Sequence, residues 1–226
     1  MPFDMLYVIL VLPVMLFTIW AQWRVSHNFK KFSKQRTVNN VTGAQAAMMV
    51  LSRYNVTGVR IEQIAGNLTD HFDPKSNTIR LSQNVCNVPS VAAVGVAAHE
   101  AGHAVQYALG YGPMKIRAAI VPITSIGSKL SLPLVMIGLF FNLTGLINIG
   151  ILLFGVVAVF QLVTLPVELN ASRRATISLA HSQMLMREEI PGAKKVLWAA
   201  AMTYVAALAL SLVQMLRYIL LAARRR

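Results

Sequence analysis

Long stretches with almost no charge are the feature that most limits how this chain can fold. Three apolar segments stand out, at 5–22, 116–167 and 196–216. A helix needs about 20 apolar residues to cross a bilayer, and the middle segment is long enough for two. Asn142–Gly145 predicts a tight reversal inside it. Only 13% of the residues are charged, against about 25% in soluble domains, so we predict a membrane protein with about four membrane helices.

We expect a small α+β segment between the first two apolar segments. Thr42 is placed to cap a helix that reaches about Tyr54, and the stretches 59–64 and 78–82 resemble strands. A further helix is predicted over 91–109. The predicted segments are 1–23 (an uncleaved N-terminal membrane anchor), 24–115 (the α+β segment), 116–167 (a membrane hairpin), 168–195 (a helix and a basic stretch) and 196–226 (a C-terminal membrane helix).

Basic residues flank the apolar segments, and the formal net charge is +13. Most of the 21 Lys and Arg residues lie in 24–117 and 173–195, which predicts that these parts are cytoplasmic. The three arginines at 224–226 conflict with four simple crossings, so the orientation of the last helix stays open. Because the basic residues are not interleaved with aromatic ones, we expect a lipid bilayer as partner and no nucleic acid.

The run His99-Glu100-Ala101-Gly102-His103 lies within the helix predicted over 91–109. Residues four apart share one face of a helix, so both imidazoles can bind the same ion. Glu100 is next to them and can accept a proton from a water molecule on that ion. An unpartnered carboxylate in such an apolar helix would be costly. The run therefore predicts a Zn²⁺ site with Glu100 as general base, in a mainly α membrane protein with a small α+β zincin-like catalytic segment.

A catalytic zinc ion needs a third protein ligand and an open position. The acidic candidates downstream are Glu168, Glu188 and Glu189, and His181 is a weaker alternative. Glu168 directly follows a membrane-length apolar run, where an idle carboxylate is costly, so we favour it. Glu188 and Glu189 lie in a charged stretch and are expected on a solvated face.

Several residues near these ligands are candidates for supporting roles. Ser172 lies one helical turn after Glu168, and Asn170 is nearby, so both are candidates for orienting a histidine. Arg173 is a candidate for stabilising an oxyanion, or for meeting lipid headgroups. We also expect an edge strand that pairs with substrate backbone. The residues predicted for that strand are Thr78, Ile79, Arg80, Leu81 and Ser82.

Three runs, 68–82, 94–106 and 165–175, together resemble the YugP-type neutral zinc metallopeptidases, a family of bacterial membrane proteins. The resemblance extends over nearly the whole chain. It implies peptidase activity, zinc and a location in the bacterial inner or plasma membrane. More distantly, the run Glu168-x-x-Ala171-Ser172-Arg173 is similar to the Glu-x-x-Ala-Asp-Arg segment of HtpX-type membrane gluzincins. That similarity implies Glu168 as third ligand, with Ser172 in place of the aspartate that supports a histidine.

These observations predict a membrane-embedded zinc endopeptidase that hydrolyses membrane or membrane-proximal proteins. The alternative is a membrane binding or regulatory protein that retains a structural zinc site. An intact Glu100 favours the enzyme, because a structural site gains nothing from a free general base. A transporter is the third possibility, supported only by Lys129 within an apolar segment.

Overall fold

The computed structural model describes residues 5–223, and helices form most of it. The predicted class, mainly α with a small α+β segment, is confirmed. In chain order the elements are a π-helical turn (Tyr7–Val11), α1 (Leu12–Ser33), α2 (Gly43–Arg53), β1 (Arg60–Ile64), β2 (His71–Asp73), β3 (Thr78–Ser82), α3 (Gln83–Cys86), α4 (Val91–Ala108), α5 (Gly112–Phe141), α6 (Thr144–His181) and α7 (Ile190–Ala223).

Four helical stretches are long and apolar enough to cross a membrane, judged by length and composition. They are Tyr7–Ser33, Gly112–Phe141, Thr144–His181 and Ile190–Ala223. Three of them continue beyond the segment ends that the sequence predicts. Helix α1 continues past 23, α7 begins before 196, and α6 runs through 167–168 without a break. Glu168 therefore lies on the same continuous helix as the apolar stretch before it.

The chain forms two compact units. The first consists of the chain up to Ala21, Lys115–Leu165 and the chain from Met202 onward. In it, α5 and α6 form a hairpin that turns at Asn142, whose φ is 55°. The amide of Leu143 donates to the carbonyl of Gly138 at 2.8 Å. The reversal expected near Asn142–Gly145 is present.

The second unit consists of Gln22–Met114 and Pro166–Ala201. It contains the sheet, α2 and α4, and all of the predicted site residues. Thr42 caps α2 as expected: its hydroxyl accepts from the amide of Gln45, whose side chain accepts from the amide of Thr42. The Ser90 hydroxyl caps α4 by accepting from the amide of Ala93. Both helices thus begin at polar residues that satisfy free amides of the first turn.

The sheet has the strand order β1-β3-β2. Strand β1 is parallel to β3, and β2 is antiparallel to β3 on the other side. The prediction that Thr78–Ser82 is an edge strand is therefore wrong, because Ile79 pairs with Ile61 on one side and with Phe72 on the other. The strand β2 has only three residues, too few for an alternating pattern to reveal. The outer edges of the sheet are those of β1 and β2.

Glu189 is buried, and the expectation that it lies on a solvated face is wrong. Its Oε1 accepts from the amide of Val38 at 2.9 Å, and its Oε2 accepts from the amide of Met186 at 2.7 Å. The carboxylate thus ties the loop before α2 to the loop before α7. Glu188 beside it is exposed, as expected.

Helices α4 and α6 touch backbone to backbone at Gly102. A Cβ atom placed on Gly102 would lie 2.8 Å from the carbonyl oxygen of Ala171 and 3.2 Å from its Cα. Neither of these backbone atoms belongs to a flexible side chain that could move aside. Only glycine therefore lets the helix with His99 and His103 approach α6 this closely.

We expect Gly102→Ala to lower the free energy of unfolding by about 1–3 kcal/mol, since the two helices must separate to admit a methyl group. Thermal unfolding in detergent measures the effect. Gly112→Ala is the matched control, because a Cβ there meets nothing within 4 Å. Equal unfolding temperatures for the two variants would contradict the close contact.

Candidate metal centre

Helices α4 and α6 bring His99, His103 and Glu168 together. The Oε2 atom of Glu168 lies 3.2 Å from Nε2 of His99 and 3.4 Å from Nε2 of His103. One ligand atom of each residue lies within 4.8 Å of the others. The three residues that the sequence singles out as ligands therefore form one cluster within the second unit.

The cluster fits a zinc ion. Atoms that bind zinc tetrahedrally at about 2.0–2.1 Å lie roughly 3.4 Å apart. The two distances from the Glu168 oxygen agree with that separation. Two imidazoles and one carboxylate also form a ligand set of catalytic zinc sites, in which a fourth position stays open.

The electrostatics of the cluster favour a cation. Glu168 is only 2% exposed, and His103 and Glu100 are buried as well. Burial by itself lowers the pKa of His103, but the carboxylates of Glu168 and Glu100 outweigh it and raise that pKa above its ordinary value. A buried carboxylate is stable only when it is hydrogen-bonded, ion-paired or bound to a metal. The negative potential that attracts a proton to His103 attracts a metal ion in the same way.

Each histidine is oriented through its Nδ1 atom. Nδ1 of His99 lies 3.1 Å from the Ser172 hydroxyl, and Nδ1 of His103 lies 2.9 Å from Oε1 of Gln106. Gln106 donates through Nε2 to the carbonyl of Val167, so its Oε1 is the acceptor. In the neutral imidazole of His103 the proton is therefore on Nδ1, and the lone pair is on Nε2, the atom that faces Glu168.

Gln106 is the functional candidate that sequence reasoning missed. The sequence alone assigns it no role, because it lies outside the run from His99 to His103. The structure shows a fully buried amide one helical turn after His103. Gln106 Nε2 also donates to Asn170 Oδ1 at 3.0 Å, and Asn170 Oδ1 accepts from Arg174 Nε at 2.8 Å. The sequence does contain one sign of this role, because Gln106 is a large amide in a helix that is otherwise rich in Ala, Val and Gly.

The other predicted residues occupy different positions. Ser172 contacts His99 as expected, whereas Asn170 reaches His103 only through Gln106. Arg173 is exposed on α6, and within residues 5–223 no hydrogen bond joins it to the cluster. The alternative ligand His181 is exposed at the end of α6.

The sheet meets the motif helix through β2. The ring of Phe72 lies 5.8 Å from that of Tyr107, which follows His103 by one helical turn. Of the two outer strands of the sheet, β2 is thus the one that packs against α4 near the cluster, and its outer edge is unpaired within the sheet. The predicted substrate strand, β3, is the central strand of the sheet, so its backbone already pairs with β1 and β2.

Four membrane-length helices and a largely buried cluster of two histidines and one glutamate indicate a membrane protein with a zinc-peptidase-like site. The chain matches, over residues 7–223, the family described as "Putative neutral zinc metallopeptidase", and it belongs to that family. It is 39% identical over 217 residues to "Putative membrane protease YugP" of Bacillus subtilis (strain 168), a match that covers 96% of each chain. No solved structure matches the chain.

We expect Gln106→Leu to weaken zinc binding by about 10–100-fold, the range typical of residues that orient a metal-bound histidine. Leucine preserves the volume but leaves Nδ1 of His103 without an acceptor. Competition with a zinc-sensitive chelating dye measures the affinity. Gln83→Leu is the control, because Gln83 is exposed and away from the cluster. Unchanged affinity in Gln106→Leu would show that Gln106 does not orient the ligand.

Proposed function

We propose that this protein is a zinc endopeptidase of the gluzincin type, which cleaves membrane or membrane-proximal proteins. The observation that supports this most directly is the cluster itself: Nε2 of both histidines faces one oxygen of Glu168, with Glu100 between the histidines on the same helix. Membership of a zinc metallopeptidase family agrees with that ligand set.

His99, His103 and Glu168 would hold the ion, which when bound supplies a Lewis acid that lowers the pKa of a water molecule towards neutrality. Glu100 accepts the proton of the attacking water and passes it to the leaving amine nitrogen. Ser172 and Gln106 keep the two imidazoles in place and exclude the wrong tautomer of His103. The chain itself thus supplies a general base, Glu100, next to three metal ligands that are held in fixed positions.

Membrane or membrane-proximal proteins are the substrate class that the chain's composition supports. The chain has four helices of membrane length, and the relative from Bacillus subtilis carries the name of a membrane protease. An extended substrate segment can pair with the outer edge of β2 through main-chain hydrogen bonds. The basic residues at 24–117 and 173–195 support a location of the site on the cytoplasmic side.

The test is metal content and proteolysis of the full-length protein in detergent. We expect about one zinc ion per chain and cleavage of casein or a membrane-protein substrate, lost on chelation and restored by zinc. A Glu100→Gln preparation made in the same way controls for contaminating proteases. Zinc in both preparations with cleavage in neither would support the alternative of a regulatory protein with a structural zinc site. No metal in either would refute the site.

A further inference from the structure

A groove of about 640 Å³ runs between α6 and the first turns of α7, entirely within the second unit. On each of the two helices the lining residues are mostly three or four positions apart, so they share one helical face. The residues that matter here are Leu169, Ser172, Arg173, Lys194, Leu197 and Trp198. Its surface is mostly apolar, with two cationic side chains. Ser172 belongs both to this groove and to the metal centre, where its hydroxyl meets His99.

The charges of the groove are of one sign. Arg173 and Lys194 are exposed, and no acidic residue among the described ones lines the groove. Within residues 5–223 neither cation has a hydrogen-bond or ion-pair partner. A guanidinium and an ammonium group on opposite walls suit a phosphate group, which accepts hydrogen bonds from both.

The position of the groove along the chain indicates where that phosphate comes from. On α6 the groove residues directly follow the apolar segment 116–167, and on α7 they lie at the start of the apolar segment 196–216. Both helices therefore pass from charged to apolar sequence at this groove. Trp198 is 58% exposed, and an exposed tryptophan at the end of an apolar helix is typical of the headgroup level of a membrane.

We propose that this groove binds an anionic phospholipid. Arg173 and Lys194 bind the headgroup phosphate, and the first part of an acyl chain lies on Leu169 and Leu197 beside Trp198. The apolar surface of the groove suits an acyl chain. The two unpaired cations favour an anionic headgroup over a zwitterionic one. The site adjoins the metal centre through Ser172, but lipid binding needs neither zinc nor Glu100.

The test uses Trp198 as a reporter. Trp20→Phe and Trp23→Phe leave Trp198 as the single tryptophan, and the full chain is placed in nanodiscs of phosphatidylcholine. A tenth of the lipid is then replaced by brominated phosphatidylglycerol or brominated phosphatidylcholine, since bromine quenches tryptophan on contact. We expect brominated phosphatidylglycerol to quench Trp198 at least about three times as strongly, because a bound lipid is enriched at the site.

Charge variants connect that preference to the groove. Arg173→Gln with Lys194→Gln is expected to reduce quenching by phosphatidylglycerol to the level of phosphatidylcholine. Arg187→Gln with Lys195→Gln removes the same charges from exposed positions outside the groove and is expected to keep the preference. Arg173→Lys with Lys194→Arg keeps both charges and serves as a folding-neutral check, with the preference retained.

Two results would overturn the proposal. Equal quenching by the two brominated lipids in the parent would show that the groove has no preference for an anionic headgroup. Displacement of brominated phosphatidylglycerol by a cleavable peptide in the Glu100→Gln background would assign the groove to substrate instead. Because Glu100→Gln is expected to bind peptide without cleaving it, the lipid result can be read separately from the peptidase activity.

Discussion

Replacing Glu100 by glutamine is expected to reduce kcat/KM for peptide cleavage by about 10²–10⁴-fold, the contribution typical of a positioned general acid or base. Glutamine has the shape of glutamate but cannot accept the proton of the attacking water. Zinc content is expected to stay near one per chain, because the three ligand atoms belong to His99, His103 and Glu168. The variant therefore tests the role of Glu100 as general base without removing a metal ligand.

The measurement is the initial rate of cleavage alongside zinc by mass spectrometry, on the same detergent preparation. Glu188→Gln is the matched control, since Glu188 is an exposed glutamate of the same unit. It is expected to cleave like the wild type. A Glu100→Gln variant that loses zinc together with activity would mean that Glu100 binds the metal or supports the fold.

The features that sequence predicted well are those encoded in length or in local spacing. A stretch of about 20 apolar residues has few alternatives to a membrane-length helix, and the four helices were found for that reason. The spacing of His99 and His103 places them on one helical face whatever surrounds them. Glu168 was singled out because a carboxylate beside an apolar run is costly without a partner, and it lies against both histidines.

The features that sequence missed depend on partners distant in the chain. Strand β2 has three residues, and only its pairing with β3 makes it a strand. Glu189 stands in a charged run, yet it is buried because two backbone amides from different loops converge on it. Gln106 becomes a support for His103 only when Asn170 and Val167 fix its amide. Each case needs the tertiary contact before the residue has a recognisable role.

Replacing Glu168 by glutamine is expected to weaken zinc binding by at least about 100-fold, the upper end of what residues outside the ligand set contribute. The amide has nearly the same volume, so the packing of a side chain that is 2% exposed is preserved. The negative charge that offsets the ion is lost, however, and a neutral amide oxygen is a weak zinc ligand. The two histidines alone leave the ion with too few protein ligands.

Thermal unfolding in the presence of zinc measures this loss without relying on catalysis. Zinc at 1,000 times its Kd stabilises the folded protein by about 4 kcal/mol, and a 100-fold weaker site gains only about 1.4 kcal/mol at the same concentration. We therefore expect zinc to raise the unfolding temperature of the wild type much more than that of Glu168→Gln. His181→Asn and Glu188→Gln, which remove the two exposed candidate ligands, are expected to respond like the wild type. If one of them lost the zinc response while Glu168→Gln kept it, the third ligand would lie on that residue, and the contact of Glu168 with the histidines would be a structural ion pair instead.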